Sequence, residues 1–309
     1  MPVDSVPFNT PVLLIIFNRP ETTRAVFNSI RNIRPSRLYI AADGPRPYNR
    51  NDLAKCAETR LIVSEIDWKC DLKTLFRDQN LNCGLGPSSA MSWFFEHEEE
   101  GIILEDDCLP TKSFFYYCQE LLARYRSDSR IMHIGGNNFL NTDNRESKFS
   151  YYFSLNGHVW GWASWRRAWK SFDFRMEHYD LFKRTGYFNS LFPNLLERIY
   201  RMRKLDQAAG GKMACWDYQW DFARWINSGL AIVPVKNLVR NIGFGSDATH
   251  TNGNMDTYLD MESHEMDFPI QHPSFVLHDF EMDRKYFAHI VKKKVFRGLK
   301  RPFNEKIPT

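Results

Sequence analysis

Apolar residues in the first third of the chain gather into short unbroken runs separated by stretches of a different period. Val12-Leu13-Leu14-Ile15-Ile16-Phe17 has no polar interruption, which predicts a strand buried on both faces, and Asn18-Arg19-Pro20 ends it. From Glu21 to Ile33 the apolar positions Val26, Phe27, Ile30 and Ile33 fall on one side of a helix. The alternation then repeats. Leu38 to Ala42 predicts a second strand closed by the turn Asp43-Gly44-Pro45, Leu53 to Ile66 a helix, and Leu72 to Phe76 a third strand. A helix from Ser88 to His97 follows the glycine-containing Asn82-Cys83-Gly84-Leu85-Gly86-Pro87. Gly101-Ile102-Ile103-Leu104 is a fourth buried strand, and it delivers Glu105-Asp106-Asp107. Strands alternating with helices predict an α/β fold, a mostly parallel sheet flanked by helices.

The remainder is less regular. A helix from Ser113 to Tyr125 leads to the strand Ile131–Ile134 and the loop Gly135-Gly136-Asn137-Asn138. In the Trp-rich segment from Val159 to Trp169, the residues Trp162, Trp165 and Trp169 stand at helical spacing and predict core. A helical region to about Arg203, a helix from Trp216 to Asn227 and a strand from Ala231 to Pro234 follow. Asn241 to Asn254 is a Gly-, Asn- and Thr-rich loop, expected to act as a lid. No internal repeat is visible. The expected organisation is one domain over 1–283, with a first half at 1–125 and a loop-rich second half at 126–283, then a basic tail at 284–309.

Composition narrows the class. The chain has 309 residues, 25% charged and 43% hydrophobic, the balance of a globular protein with a substantial core. Aromatic residues reach 15%, which favours an aromatic-lined pocket. No apolar run approaches the ~18–20 residues of a spanning helix, and the start reads as a strand rather than a signal peptide. The six cysteines include no C-x-x-C pair and predict reduced thiols in a cytoplasmic protein. The net charge of +4 is uneven, because Arg284 to Arg301 holds eight Lys or Arg and no acid, leaving 33 basic against 37 acidic residues elsewhere. A body of that sign argues against a nucleic-acid partner. In the tail, Phe287, Val291, Val295 and Leu299 recur at steps of four among lysines, the pattern of a short basic amphipathic helix that can lie on an anionic membrane surface.

Three adjacent carboxylates directly after a buried strand repel one another unless a cation or solvent compensates. In an open α/β sheet, ligands bind outside the carboxyl ends of the strands, where Glu105, Asp106 and Asp107 emerge. Hard oxygen ligands there suit Mg²⁺ or Mn²⁺. Asp43 and Arg19 also follow strand ends, so a carboxylate and a guanidinium would share the rim with the triplet. Gly84-Leu85-Gly86-Pro87-Ser88-Ser89 lacks both the lysine of a P-loop and the dinucleotide glycine spacing.

The strand from Pro11 through Phe17 to Arg19, the turn Ala42-Asp43-Gly44, and Ile103-Leu104-Glu105-Asp106-Asp107 with Pro110 and Phe114-Phe115 together resemble the nucleotide-sugar domain of GT-A glycosyltransferases. Among these the chain most resembles N-acetylglucosaminyltransferase I and its bacterial relatives, from Pro11 to about Leu122. The resemblance implies a GT-A-like fold in which Asp107 holds Mn²⁺ (or Mg²⁺) against a diphosphate while Glu105 and Asp106 contact the donor. It also implies that Asp43 reads a uracil edge, that Arg19 lies near the nucleotide, and that Trp162 of Trp160-Gly161-Trp162 shapes the sugar pocket. His250 stands where the family has a loop histidine, although its neighbours here are Thr249 and Thr251. Cys83-Gly84-Leu85-Gly86 departs from the family, which has a histidine before the acidic strand.

Transfer with inversion at the anomeric carbon, carried over from that resemblance, needs a carboxylate base within ~2.6–3.2 Å of the acceptor hydroxyl and apart from the triplet. Asp217 and Asp221 share a helix face one turn apart, and Trp216-Asp217 matches the family's Trp-Asp, so Asp217 is the first candidate and Asp221 the second. The expected activity is metal-dependent transfer of a sugar from a nucleotide diphosphate donor, UDP-linked, to a saccharide or lipid-linked saccharide. The alternatives are a nucleotidyltransferase that makes nucleotide sugars and a non-catalytic carbohydrate-binding module.

Overall fold

The computed structural model describes residues 7–140, 148–213, 215–243 and 261–300, with the backbone alone for 293–300. The first half runs β1 (Val12–Ile16), α1 (Pro20–Ile33), β2 (Arg37–Ala42), α2 (Arg50–Arg60), a short 3-10 turn (Leu61–Glu65), β3 (Asp71–Phe76), α3 (Asn82–His97), β4 (Glu100–Glu105), β5 (Cys108–Pro110) and α4 (Lys112–Tyr125). The second half runs β6 (Ile131–Gly135), β7 (Tyr151–Ser154), β8 (Trp162–Trp165), α5 (Arg166–Trp169), α6 (Tyr179–Thr185), α7 (Tyr187–Leu191), α8 (Leu195–Ala209), α9 (Asp217–Ile226), β9 (Leu230–Pro234), β10 (Val239–Asn241) and α10 (Phe280–Lys300).

Eight strands form one sheet in the order β3-β2-β1-β4-β8-β6-β9-β7. The β3-β2, β2-β1, β1-β4 and β6-β9 junctions are parallel, and the β4-β8, β8-β6 and β9-β7 junctions antiparallel. Helices cover both faces, as the alternating pattern predicts. Val12, Leu14 and Ile16 of β1 join Val26, Phe27, Phe114 and Leu121 in one core, while Leu13 joins Met91, Phe94, Trp162 and Trp220 in the other. That two-sided burial is why β1 tolerates no polar residue. A third cluster, built from Phe182, Phe188, Leu205, Phe222 and Trp225, holds the helices of the second half together.

Several elements differ from expectation for identifiable reasons. The helix expected over 53–66 starts at Arg50, capped by the Asn49 side chain, and tightens into the 3-10 turn after Arg60. Trp162 and Trp165 lie on a strand rather than a helix, and their spacing of three sends the rings to opposite cores. Helix α3 begins at Asn82 and takes in the glycines assigned to a loop. The helical region before Arg203 is three helices, α6 to α8, broken at Gly186 (φ 71°) and at Pro193. Helix α10 spans the boundary expected after residue 283. Its first turns are tied down by Asp283, which accepts from Leu155 N (3.0 Å) and from the Ser154 hydroxyl.

Candidate active site

Strands β1, β2 and β3 step outward in one direction, and β4 then returns to pair with the other side of β1. The crevice at such a reversal is where open α/β sheets take ligands, because the loops after the two central strands diverge there. Arg19 follows β1 and Glu105-Asp106-Asp107 follows β4, so the switch point brings together the two groups that the sequence placed at separate strand ends. The guanidinium of Arg19 donates to Asp107 Oδ2 at 2.8 Å and to Asp106 Oδ1 at 3.4 Å. Asp106 is buried, and its other oxygen accepts from the backbone N–H of Phe17 at 3.2 Å.

Carboxylate crowding shows in the electrostatics. Enclosure of Glu105 pushes its pKa up to about 8, with Asp107, Asp106 and Asp217 adding to the rise and Arg19 opposing it. Burial also raises Asp106, against the pull of Arg19. Arg19 bonds two of three clustered carboxyl groups, and Asp217 adds a fourth that repels Glu105, a concentration of acidic oxygens that suits a hard cation. Among the described residues, no three side chains of His, Cys, Asp or Glu converge into a metal cage. The carboxylate oxygens present are the donor type that suits a Mg²⁺- or Mn²⁺-type ion held by one or two carboxylates and completed by water and phosphate oxygens.

Asp217 reaches this rim from the far half of the chain. It opens α9, and its charge contributes to the raised pKa of Glu105. Burial raises the pKa of Asp217 too, while its own N–H and that of Tyr218 favour the ionised form. The mechanical link between the two carboxyls is aromatic. Ile103, two residues before Glu105, pairs with Trp162 on β8, and the Trp162 ring stacks on that of Trp216 at 5.6 Å and 23°. Trp162 is fully buried, with His133 stacked on it as well (4.9 Å, 15°), so its ring is not open to solvent. Asp221 lies one turn on and is differently employed: it forms an ion pair with the fully buried Arg224, whose guanidinium also donates to the Leu155 carbonyl at 3.2 Å. Burial raises Asp221, and Arg224 and Arg201 counter that rise.

Asp43 sits at the end of β2, where its carboxylate accepts from the N–H of Leu81 (2.9 and 3.0 Å) and of Gly44 (3.1 Å) and so positions the start of α3. The α3 glycines are explained by contact. A side chain at Gly86 would come 3.0 Å from Asp43 Oδ2, and one at Gly84 would come 3.1 Å from the Cys215 carbonyl. Cys83 and Cys215 flank Asp217 from these two segments, and burial pushes the Cys215 thiol up to about 12. In the sequence these glycines read as a loop that lacks the phosphate-loop pattern and as a departure from the resembling family. Their actual signal is that α3, Asp43 and the Asp217 segment meet at backbone distance.

Gly243, which the sequence assigns to the expected lid over 241–254, packs against the acidic triplet. Strand β10 pairs with β5, and the Ile242 N–H donates to the Asp107 carbonyl at 2.8 Å, which lays Gly243 on the Asp107 side chain. A Cβ there would come 2.8 Å from that of Asp107 and collide with its carboxylate. Gly243→Ala is expected to force this contact apart and to cost about 1–3 kcal/mol of stability, measured by chemical denaturation. The expected lid enters the structure only through its first residues, 241–243. His250 lies outside the described residues.

No family model matches the sequence, and no curated protein matches it. Among solved structures, the chain is similar in part to the mannosyltransferase PcManGT from Pyrobaculum calidifontis in complex with GDP-Man and Mn²⁺, at 13% identity and TM-score 0.34. That match covers 52% of this chain and 46% of the other, so the chain spans about half the length of that enzyme. HddC from Yersinia pseudotuberculosis, also solved with GMP-PN, matches at 10% identity and TM-score 0.31 over 51% of this chain and 77% of its own.

Proposed function

We propose that this chain is a metal-dependent glycosyltransferase that moves a sugar from a nucleotide diphosphate donor, UDP-linked, to a hydroxyl of a saccharide or lipid-linked saccharide, with inversion. The observation that carries the reading is the convergence at the β1–β4 switch point: Arg19 and the acidic triplet on one side, Asp217 on the other. Asp107 would hold the divalent ion, whose chemistry when bound is to neutralise the departing diphosphate. Arg19 has a guanidinium suited to phosphate oxygens beside it. Glu105 and Asp106 line the donor's sugar and ribose. Asp217 takes the proton from the acceptor hydroxyl as the anomeric bond forms, and its raised pKa makes it a stronger base than an ordinary carboxylate. Asp43 acts at the base end of the donor, beside the start of α3. The basic tail places the protein at an anionic membrane surface on the cytoplasmic side.

Calorimetry with UDP and with GDP, each with Mn²⁺, followed by a panel of UDP- and GDP-sugars screened for slow donor hydrolysis, tests the reading. The expected outcome is metal-dependent UDP binding and release of free sugar. Pyrophosphate release instead identifies a nucleotidyltransferase. Binding without any turnover identifies a non-catalytic carbohydrate-binding module.

A further inference from the structure

Helix α8 is inverted in polarity over its first two turns, whereas Leu205 and Ala208 further on are buried in the ordinary way. Its inward face carries Glu197 and Arg201, each only 8% exposed, joined by a 2.6 Å ion pair, with Arg201 also donating to Asn156 Oδ1 at 2.6 Å. Its outward face carries Leu195 and Leu196, 59% and 67% exposed, together with exposed Ile199. A surface helix ordinarily arranges these residue types the other way round. Leu181 on α6 and Tyr187 on α7 are likewise exposed in this lobe. The three α8 residues fall within about a third of the helix circumference, at steps of one and four residues.

We infer that this face of α8 docks on an anionic lipid surface, jointly with the exposed Arg284 and Lys292 of α10. Continuity between the two elements comes from Tyr200 of α8, whose ring lies 6.2 Å from that of Phe287 on α10. From Phe287 the helix runs on through Lys292 toward the lysine-rich end of the chain. Exposed Arg203 of α8 and Arg184 of α6 add positive charge to the lobe, while Lys183 is paired with Asp206 at 2.7 Å. A second copy of this chain is a poor occupant, because a two-fold contact would set the same cations against themselves. Apolar side chains that protrude from a convex helix between cations suit insertion among acidic headgroups.

The inference deepens the proposed function in one respect, which rests on that reading. Helix α8 packs on α9, and Lys204 on α8 acts electrostatically on Asp217, so the docked helix would be a neighbour of the helix that carries the base. That placement suits an acceptor whose lipid anchor stays in the bilayer.

The test is co-sedimentation of the full chain with vesicles of phosphatidylglycerol and phosphatidylcholine, and with vesicles of phosphatidylcholine alone. The wild type is expected to bind the acidic vesicles, less so as salt rises, and to ignore the neutral ones. A triple variant with Leu195→Ser, Leu196→Ser and Ile199→Ser is expected to lose at least about tenfold in partitioning, with its melting temperature unchanged because these side chains pack on little. Donor hydrolysis in vesicle-free solution is expected to be the same for both, so loss of catalysis and loss of docking are read separately. Equal sedimentation of variant and wild type overturns the inference, as does wild-type indifference to acidic vesicles. So does a change from dimer to monomer in light scattering with vesicle binding unaltered, which makes the face a contact between copies.

Discussion

Asp107→Asn is expected to abolish metal-dependent nucleotide binding and to cut donor turnover on the order of 10³-fold, about 4 kcal/mol of barrier. Asparagine keeps the size of the side chain and one acceptor oxygen but removes the charge that a hard cation requires. Folding is an internal control. The substitution takes a partner from Arg19, which bonds Asp107 at 2.8 Å, yet it also relieves repulsion with Glu105 and Asp106. These two effects oppose each other, so the melting temperature is expected to shift by only a few degrees, and the binding loss is not a symptom of unfolding. Calorimetric titration of Mn²⁺ with UDP checks this directly. A variant that binds both as tightly as the wild type reduces the triplet to a charged turn and removes the proposed function.

Asp217→Asn is expected to lower turnover by 10²- to 10⁴-fold while changing donor affinity only a few-fold, because a general base meets the acceptor and not the nucleotide. Its pH profile is the sharper readout. Burial raises the pKa of Asp217, and only the ionised form accepts a proton. Turnover in the wild type is therefore expected to rise with pH through a limb above the usual carboxylate range, and that limb is expected to vanish in the variant. Asp221 gives the contrast. Asp221→Ala leaves the enclosed Arg224 guanidinium without its carboxylate, which is expected to cost about 3–5 kcal/mol of stability, measured by chemical denaturation. Equal catalytic loss in both variants with full stability would assign the base to the pair and not to Asp217.

Where two-sided burial leaves an unbroken apolar run, as in β1, β2 and β4, the strand and its polar terminus were readable from residue types alone. The α/β class, Arg19 and the acidic triplet came from there. Short strands were not readable: β5, β7 and β10 take their identity from a pairing partner far along the chain. The glycines of α3 misled for the opposite reason, since they look like a break locally but are required by the approach of Asp43 and Cys215. The meeting of Asp217 with Glu105, and of Gly243 with Asp107, depends on long-range topology that no local pattern encodes. The inversion of α8 was hidden as well, because its apolar spacing reads the same whether those residues face the core or the solvent.

The ring stack between Trp162 and Trp216 makes the span of the reaction centre a dimension of the hydrophobic interior. Asp217 keeps step with the end of β4 through close-packed aromatic faces, and packed interiors have low compressibility. Under the proposed function, peripheral segments can be exchanged to recruit a different acceptor without changing the spacing of Asp217 and Glu105. Thinning one indole of the stack would detune the centre while leaving every charged group in place.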